Sequence, residues 1–190
     1  PFYGNWAWAN SGPSIQVGDF GVGFVQAWVD DYHKELALRG HYFIRGNHDH
    51  PEDCQPLANY LGDWGTWGNL FWVGGAHSID SGFRTPGHDW WPEEELSYRQ
   101  FDWVYKDYGK VRPSIMVTHD CPLSISTMLV PHARPNVTTS ELERLWHEHQ
   151  PELWIFGHYH RSFDTTVGGT RFVCLGINEV REFETGAENG

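Results

Sequence analysis

Positive charge is scarce in this chain. Thirteen Lys and Arg stand against twenty-five Asp and Glu, a formal net charge of −12 at pH 7. Affinity for a nucleic-acid backbone is built from Lys and Arg contacts to phosphate, so this balance argues against a nucleic-acid partner. A bound metal cluster would reverse the field locally, which leaves small phosphorylated substrates open. Cysteine is sparse as well. Cys54, Cys121 and Cys174 are odd in number and lack CxxC spacing, which predicts reduced thiols and no disulfide frame. No stretch reaches the roughly eighteen consecutive apolar residues of a membrane span. The opening Pro1-Phe2-Tyr3-Gly4-Asn5 does not look like a signal peptide. A cytoplasmic protein without membrane contact is expected. Internal repeats and low-complexity linkers are missing too, so neither a solenoid nor a string of modules is expected.

Hydrophobic residues make up 39% of 190 positions, enough for a core and too few for two ordinary domains. One domain over residues 1–190 is the expectation. Apolar segments at Ile15–Val17, Tyr42–Ile44, Phe71–Val73, Ile115–Val117 and Leu153–Phe156 have strand length and composition. A further pair, Phe163–Val167 and Arg171–Leu175, flanks Gly168-Gly169 and reads as a hairpin. Between these lie helical patterns. Val25, Trp28, Val29, Tyr32 and Leu36 share a face within about 22–38. Pro92 and three glutamates suit the start of a helix over about 92–108. Thr138 and Glu141 form a capping-box pattern ahead of Leu142, Leu145 and Trp146. Strands alternating with helices predict an α/β fold. A β-α-β unit needs about 30 residues, yet only fourteen precede Ile15, so the first β-α unit reads as truncated.

Four short polar motifs each follow a predicted strand: Gly18-Asp19, Gly46-Asn47-His48-Asp49, Thr118-His119-Asp120 and Gly157-His158-Tyr159-His160. Ligands of α/β proteins gather at the carboxyl ends of strands. Each motif alone also reads as an ordinary polar turn; the four together do not. Two divalent ions about 3.5–4 Å apart can polarise a phosphoryl oxygen and generate a hydroxide nucleophile. A bridging carboxylate is needed between them, which suits Asp19. Neutral imidazoles at His119, His158 and His160 and an amide oxygen at Asn47 complete a mixed N/O shell. Such a shell suits Mn, Fe, Co, Ni or Zn and not Ca. His48 is placed as a general acid or transition-state stabiliser, with Asp49 orienting it through the other ring nitrogen.

The series GD, GNHD, TH and GHYH resembles the calcineurin-like metallophosphoesterase superfamily, over a span from Asp19 to His160. The resemblance implies a four-layer αββα sandwich of two mixed sheets flanked by helices. It implies that Asp19 bridges two metals, with Mn the first choice. Asn47, His119 and His158 then complete the second site, His160 belongs to the first, and His48 lies next to the leaving group. One departure stands at the front, where the family opens with D-x-H before a glycine. Aligning that glycine with Gly4 puts Pro1 and Tyr3 in place of the Asp and His. The D-x-H at Asp31-Tyr32-His33 falls within a predicted helix, where positions i and i+2 diverge.

The segment Ser78 to Glu93 is rich in aromatic and polar groups and reads either as a plain connection or as a lid, with Arg84 or His88 meeting phosphate. The expected activity is hydrolysis of phosphomonoesters, of a protein or a small molecule, by a metal-bound hydroxide with His48 assisting departure. Two rivals remain: a diesterase or nuclease of the same superfamily, and a degenerate binding scaffold without turnover.

Overall fold

The computed structural model describes residues 12–23 and 29–184. The expected truncation of the first β-α unit, and the positions Pro1, Tyr3 and Gly4, lie outside the described residues. Among the described residues no helix is long and apolar enough to cross a membrane.

Strand β1 (Ser14–Val17) pairs in parallel with β2 (His41–Ile44), and helix α1 (Val29–Leu38) connects towards β2. A single turn, α2 (Pro51–Cys54), follows. The remaining strands are β3 (Trp64–Trp67), β4 (Leu70–Val73), β5 (Ile115–Thr118), β6 (Leu153–Phe156), β7 (Phe163–Val167) and β8 (Thr170–Cys174). They form a six-stranded mixed sheet in the order β3-β4-β5-β6-β8-β7. The pairs β4-β5, β5-β6 and β6-β8 are parallel, and antiparallel partners lie at both edges. Helices α3 (Tyr98–Val111), α4 (Leu123–Leu129) and α5 (Val137–Glu148) complete the chain.

Alternation along the strands sorts the apolar residues into layers, because successive side chains of a strand point to opposite faces. Trp72, Ile115, Val117 and Ile155 on one face of the large sheet pack with Ile44 of the small sheet, with Ile15 and Val17 against them. The alternate residues Phe71, Val73, Met116, Trp154, Phe156 and Phe172 pack on Phe101, Val104 and Tyr108 of α3 and on Leu142, Leu145 and Trp146 of α5. Phe43, on the far face of the small sheet, packs with Phe20 and with Leu36 of α1. The sequence of layers is helix, small sheet, large sheet, helices. Two buried indoles keep hydrogen-bond partners: Trp154 Nε1 donates to Thr118 Oγ1 at 2.8 Å and Trp146 Nε1 to Thr170 Oγ1 at 3.0 Å.

The hairpin expected at Gly168-Gly169 joins β7 and β8, with both glycines at positive φ (58° and 94°), as a two-residue hairpin turn requires. Three helix starts differ from expectation. The helix expected over about 22–38 is described as Val29–Leu38, with a turn at Val22-Gly23, and Val25 and Trp28 lie outside the described residues. Helix α3 begins after Ser97, whose side chain accepts from the Gln100 amide while Gln100 reaches back, not at Pro92. The carboxylates of Glu94 and Glu95 are drawn to other partners, Ser78 and Thr138, so they do not line a first helical turn. Helix α5 is capped by Asn136 with Thr139, one box earlier than Thr138–Glu141. Strand β3 was not expected. Its Gly65 breaks the pattern, and a side chain there would run into the Trp72 ring that covers it.

Urea denaturation distinguishes the two possible starts of α3. Ser97→Ala should destabilise the fold by about 1 kcal/mol as a lost N-cap. With a start at Pro92 the same change, inside the helix, would be neutral or slightly stabilising. Phe172→Ala, in the core between sheet and helices, should cost about 3–5 kcal/mol.

Candidate metal centre

The motifs that follow β1, β2, β5 and β6 meet along one edge where the two sheets face each other. His119, just past β5, donates through Nδ1 to the carbonyl of Val17 in β1 at 2.7 Å. A carbonyl oxygen can only accept, so the Nδ1 proton is fixed and Nε2 is turned inward. Nε2 lies 3.3 Å from Asp19 Oδ1 and 3.2 Å from Asn47 Oδ1. Asn47 Nδ2 donates away from this point, to Ser78 Oγ at 2.9 Å. Asp19 Oδ1 also accepts from the backbone N–H of His48 at 3.1 Å. The His158 ring stands 5.0 Å from that of His119, centroid to centroid.

Two glycines make this approach possible. A Cβ on Gly46 would collide with Asp19 and His119, and one on Gly18, at φ 101°, would enter the His119 ring. Three site residues that are not glycine, Asp19, His158 and His160, also sit at positive φ (58°, 66° and 54°). Left-handed backbone of this kind costs about 1–3 kcal/mol per residue and clusters at functional sites.

The electrostatics follow from the convergence of lone pairs. Burial opposes charge on Asp19, but the His119 imidazolium and the His48 amide override it and hold the carboxyl well below the usual carboxylate range. Burial equally disfavours a charged His119, yet Asp19 and the Val17 carbonyl raise it to about 9. A proton on Nε2 relieves the crowding of Asp19 and Asn47 oxygens around one nitrogen lone pair. A divalent cation would relieve it more fully. Bonds of about 2.0–2.2 Å in octahedral or tetrahedral shells place neighbouring ligand atoms about 2.8–3.6 Å apart, and the observed separations of 3.2 and 3.3 Å fall in that range. The donor set of carboxylate, amide oxygen and imidazole therefore fits a divalent first-row ion. The third donor is an amide: among the described residues no three His, Cys, Asp or Glu side chains form a group able to hold an ion. His158 is shifted downwards, by burial first and by His119 next, with Asp120 opposing, so its ring favours the neutral form that a ligand needs.

The other expected site residues fall in different places. His48 meets Arg84, whose guanidinium nitrogens lie 3.0 Å from Nδ1 and 3.5 Å from Nε2. Arg84 is itself held by a fork onto Asp80, with both N–H···O distances 2.8 Å. Its place beside His48 was legible only as a general candidacy. His160 and His88 are exposed, and no described residue hydrogen-bonds to either ring. Asp49 requires a correction. Its carboxylate is fully buried and accepts the backbone N–H groups of Phe20 (3.0 Å), Gly21 (2.5 Å), Val22 (3.0 Å) and Gly46 (2.8 Å). Four donors fill its acceptor positions, so it secures two loops and does not orient the His48 ring. Burial, then the nearby Asp19, pushes its pKa upwards. Cys121 is fully buried in the core beside Asp120, and burial pushes its thiol well up, as fits a packing role. Asp80, Ser78 and the Val17 carbonyl were not singled out from sequence. Only proximity in the fold reveals them.

Asp49→Asn tests the correction. An amide offers N–H to backbone N–H, so at least one buried donor loses its partner, costing about 1–3 kcal/mol. A lowered melting temperature is expected. An unchanged melting curve with selective loss of turnover would return Asp49 to a role at His48.

No curated protein matches the chain. Among solved structures, the crystal structure of TT1561 of Thermus thermophilus aligns with a TM-score of 0.45 and 15% identity, covering 77% of this chain and 69% of that one. The family model described as calcineurin-like phosphoesterase matches residues 5–162, which include all four strand-end motifs. The chain belongs to the calcineurin-like phosphoesterases, a family of metal-dependent hydrolases of phosphate esters.

Proposed function

We propose that this protein hydrolyses phosphate monoesters with Mn²⁺ as its preferred ion. The observation that carries the reading is the convergence of Asp19, Asn47 and His119 on one point beside His48 and Arg84. Asp19, Asn47 and His119 would hold one ion, the neighbouring His158 ring would have to close on it to serve as a fourth ligand, and Asp19 with His160 would serve a second. When bound, such ions supply Lewis acidity and activate water near neutral pH. The chain's own residues do the rest. Arg84, a forked donor next to His48, turns its N–H groups to phosphoryl oxygens, which bind a guanidinium more strongly than a neutral imidazole does. His48 delivers a proton to the departing oxygen. The acidic surface favours a small phosphorylated substrate over a polynucleotide, which keeps the diesterase reading second.

Steady-state kinetics on an aryl phosphate test these roles. His48→Asn should keep fold and metal content and lower kcat by about 10²–10⁴-fold. Arg84→Ala should act chiefly on KM, raising it about tenfold or more for the loss of a charged hydrogen bond. Asp19→Asn should lower metal affinity. A Mn²⁺-loaded protein that hydrolyses neither aryl monoesters nor diesters would establish the scaffold reading. Faster cleavage of a bis-aryl phosphate than of its monoester would establish the diesterase.

A further inference from the structure

Asn47 presents its carbonyl oxygen, and not its amino group, to His119 and Asp19. The two ends of a side-chain amide have nearly the same shape, so packing alone does not choose between them. The choice is made behind Asn47, by Ser78 and Glu94. Glu94 lies between Trp91 and α3, and its carboxylate is buried, at 2% residue exposure. One of its oxygens accepts the backbone N–H of Ser78 at 2.7 Å, and the other accepts the Ser78 hydroxyl at 2.5 Å. The only proton of that hydroxyl is thereby committed to Glu94. Its lone pairs face Asn47, which must answer with a donor, and Nδ2 does so at 2.9 Å. The oxygen Oδ1 is then left pointing at the ion position. Ser78 and Asn47 are themselves 2% and 4% exposed, so water does not compete for these bonds. Glu94 is fixed in turn by Arg45, the residue just before the Gly46 turn, which donates to its main-chain carbonyl at 2.5 Å. That arginine is anchored by Asp63 at 2.5 Å.

We infer that Glu94, acting through Ser78, is a positioning residue that sets the polarity of the Asn47 amide and so delivers an oxygen ligand to the metal. The inference rests on the metal reading above and goes beyond it. Nothing in the strand-end motifs marks a glutamate 47 residues after Asn47 as part of the centre. The chain of bonds also explains why a carboxylate is required at position 94. Both atoms of Ser78 that face it are donors, and only a carboxylate offers two acceptors in that geometry. A glutamine of the same shape offers one. With its oxygen on the Ser78 N–H, its amino group donates to the hydroxyl, the hydroxyl proton swings to Asn47, and Asn47 must flip to accept it. The amino group of Asn47 then faces the ion.

The test is calorimetric titration of the full chain with Mn²⁺ alone, alongside Glu94→Gln and a control, Glu95→Gln. Glu95 is the neighbouring carboxylate, bound to Thr138 and His77 and not to Ser78. Melting of each protein before Mn²⁺ is added checks the fold. Glu94→Gln should bind Mn²⁺ about 10–100-fold more weakly, the usual effect of losing a residue that orients a ligand. Glu95→Gln should bind as the parent does. Glu94→Gln binding as tightly as the parent overturns the inference, and so does an equal loss in Glu95→Gln. Should Glu94→Gln not fold, Ser78→Ala takes its place, with the same loss expected and undiminished affinity again decisive against. A parent that takes up no Mn²⁺ overturns the metal reading itself, and this inference with it.

Discussion

A single buried carboxylate holds the geometry together. Asp49 gathers the amides of Phe20, Gly21 and Val22 from the loop after β1 and that of Gly46 from the turn after β2. These two segments carry Asp19 and Asn47-His48, so the spacing of the site depends on one side chain that faces away from it. Backbone amides that curl into a loop have few other partners, and a buried amide left without one is costly. The carboxylate satisfies four at once. The left-handed backbone at Asp19, which next to Gly18 lets the chain turn back sharply, is stabilised by the same bonds.

Much of this was legible in the sequence, for reasons that can be named. Strands β4, β5 and β6 are short apolar runs, and burial on both faces leaves them no polar alternation to blur the reading. The Gly168-Gly169 turn has a backbone requirement that few other residues meet. The four polar motifs stood out because each breaks an apolar run with glycine or threonine followed by ligand-type side chains. What failed to show was partnership. Asp49 was assigned to its neighbour His48 because adjacency suggested it. In the fold, consecutive side chains in the turn diverge, and the backbone of a loop about 28 residues away claims the carboxylate. Pro92 and its glutamates carried a valid helix-start pattern, but Glu94 and Glu95 had tertiary partners that outweighed helix propensity. Ser97 and Gln100, three residues apart, did carry the box that caps α3.

The loop between β4 and α3 joins these two lessons. As sequence it reads equally as connection or lid. In the fold it supplies Ser78 behind Asn47 and the Asp80–Arg84 fork in front of His48. One segment therefore touches the GNHD motif from two sides. Its outward face carries Ile79 and Phe83, which are 93% and 97% exposed, so around these residues its order comes from the polar contacts underneath, while Trp91 and Leu96 bury its later part.

The hydrogen bond from His119 to Val17 spans the boundary between the large sheet and the small one. Asp19 and Asn47 follow strands of the small sheet, and His119 follows a strand of the large one. The donor atoms are thus divided between two sheets that meet through packing of Ile15, Val17 and Ile44 on the large sheet and through a few bonds such as that from the Gly75 N–H to the Arg45 carbonyl. A cation held from both sides, as proposed above, would act as a rivet across that seam. Anything that binds the folded form alone stabilises it by mass action, by about 2.7 kcal/mol at a hundredfold excess over its dissociation constant. With the proposed ion bound, ion availability and the cohesion of the two sheets would become a single equilibrium, in which a shortage of ions would loosen the architecture as well as the chemistry.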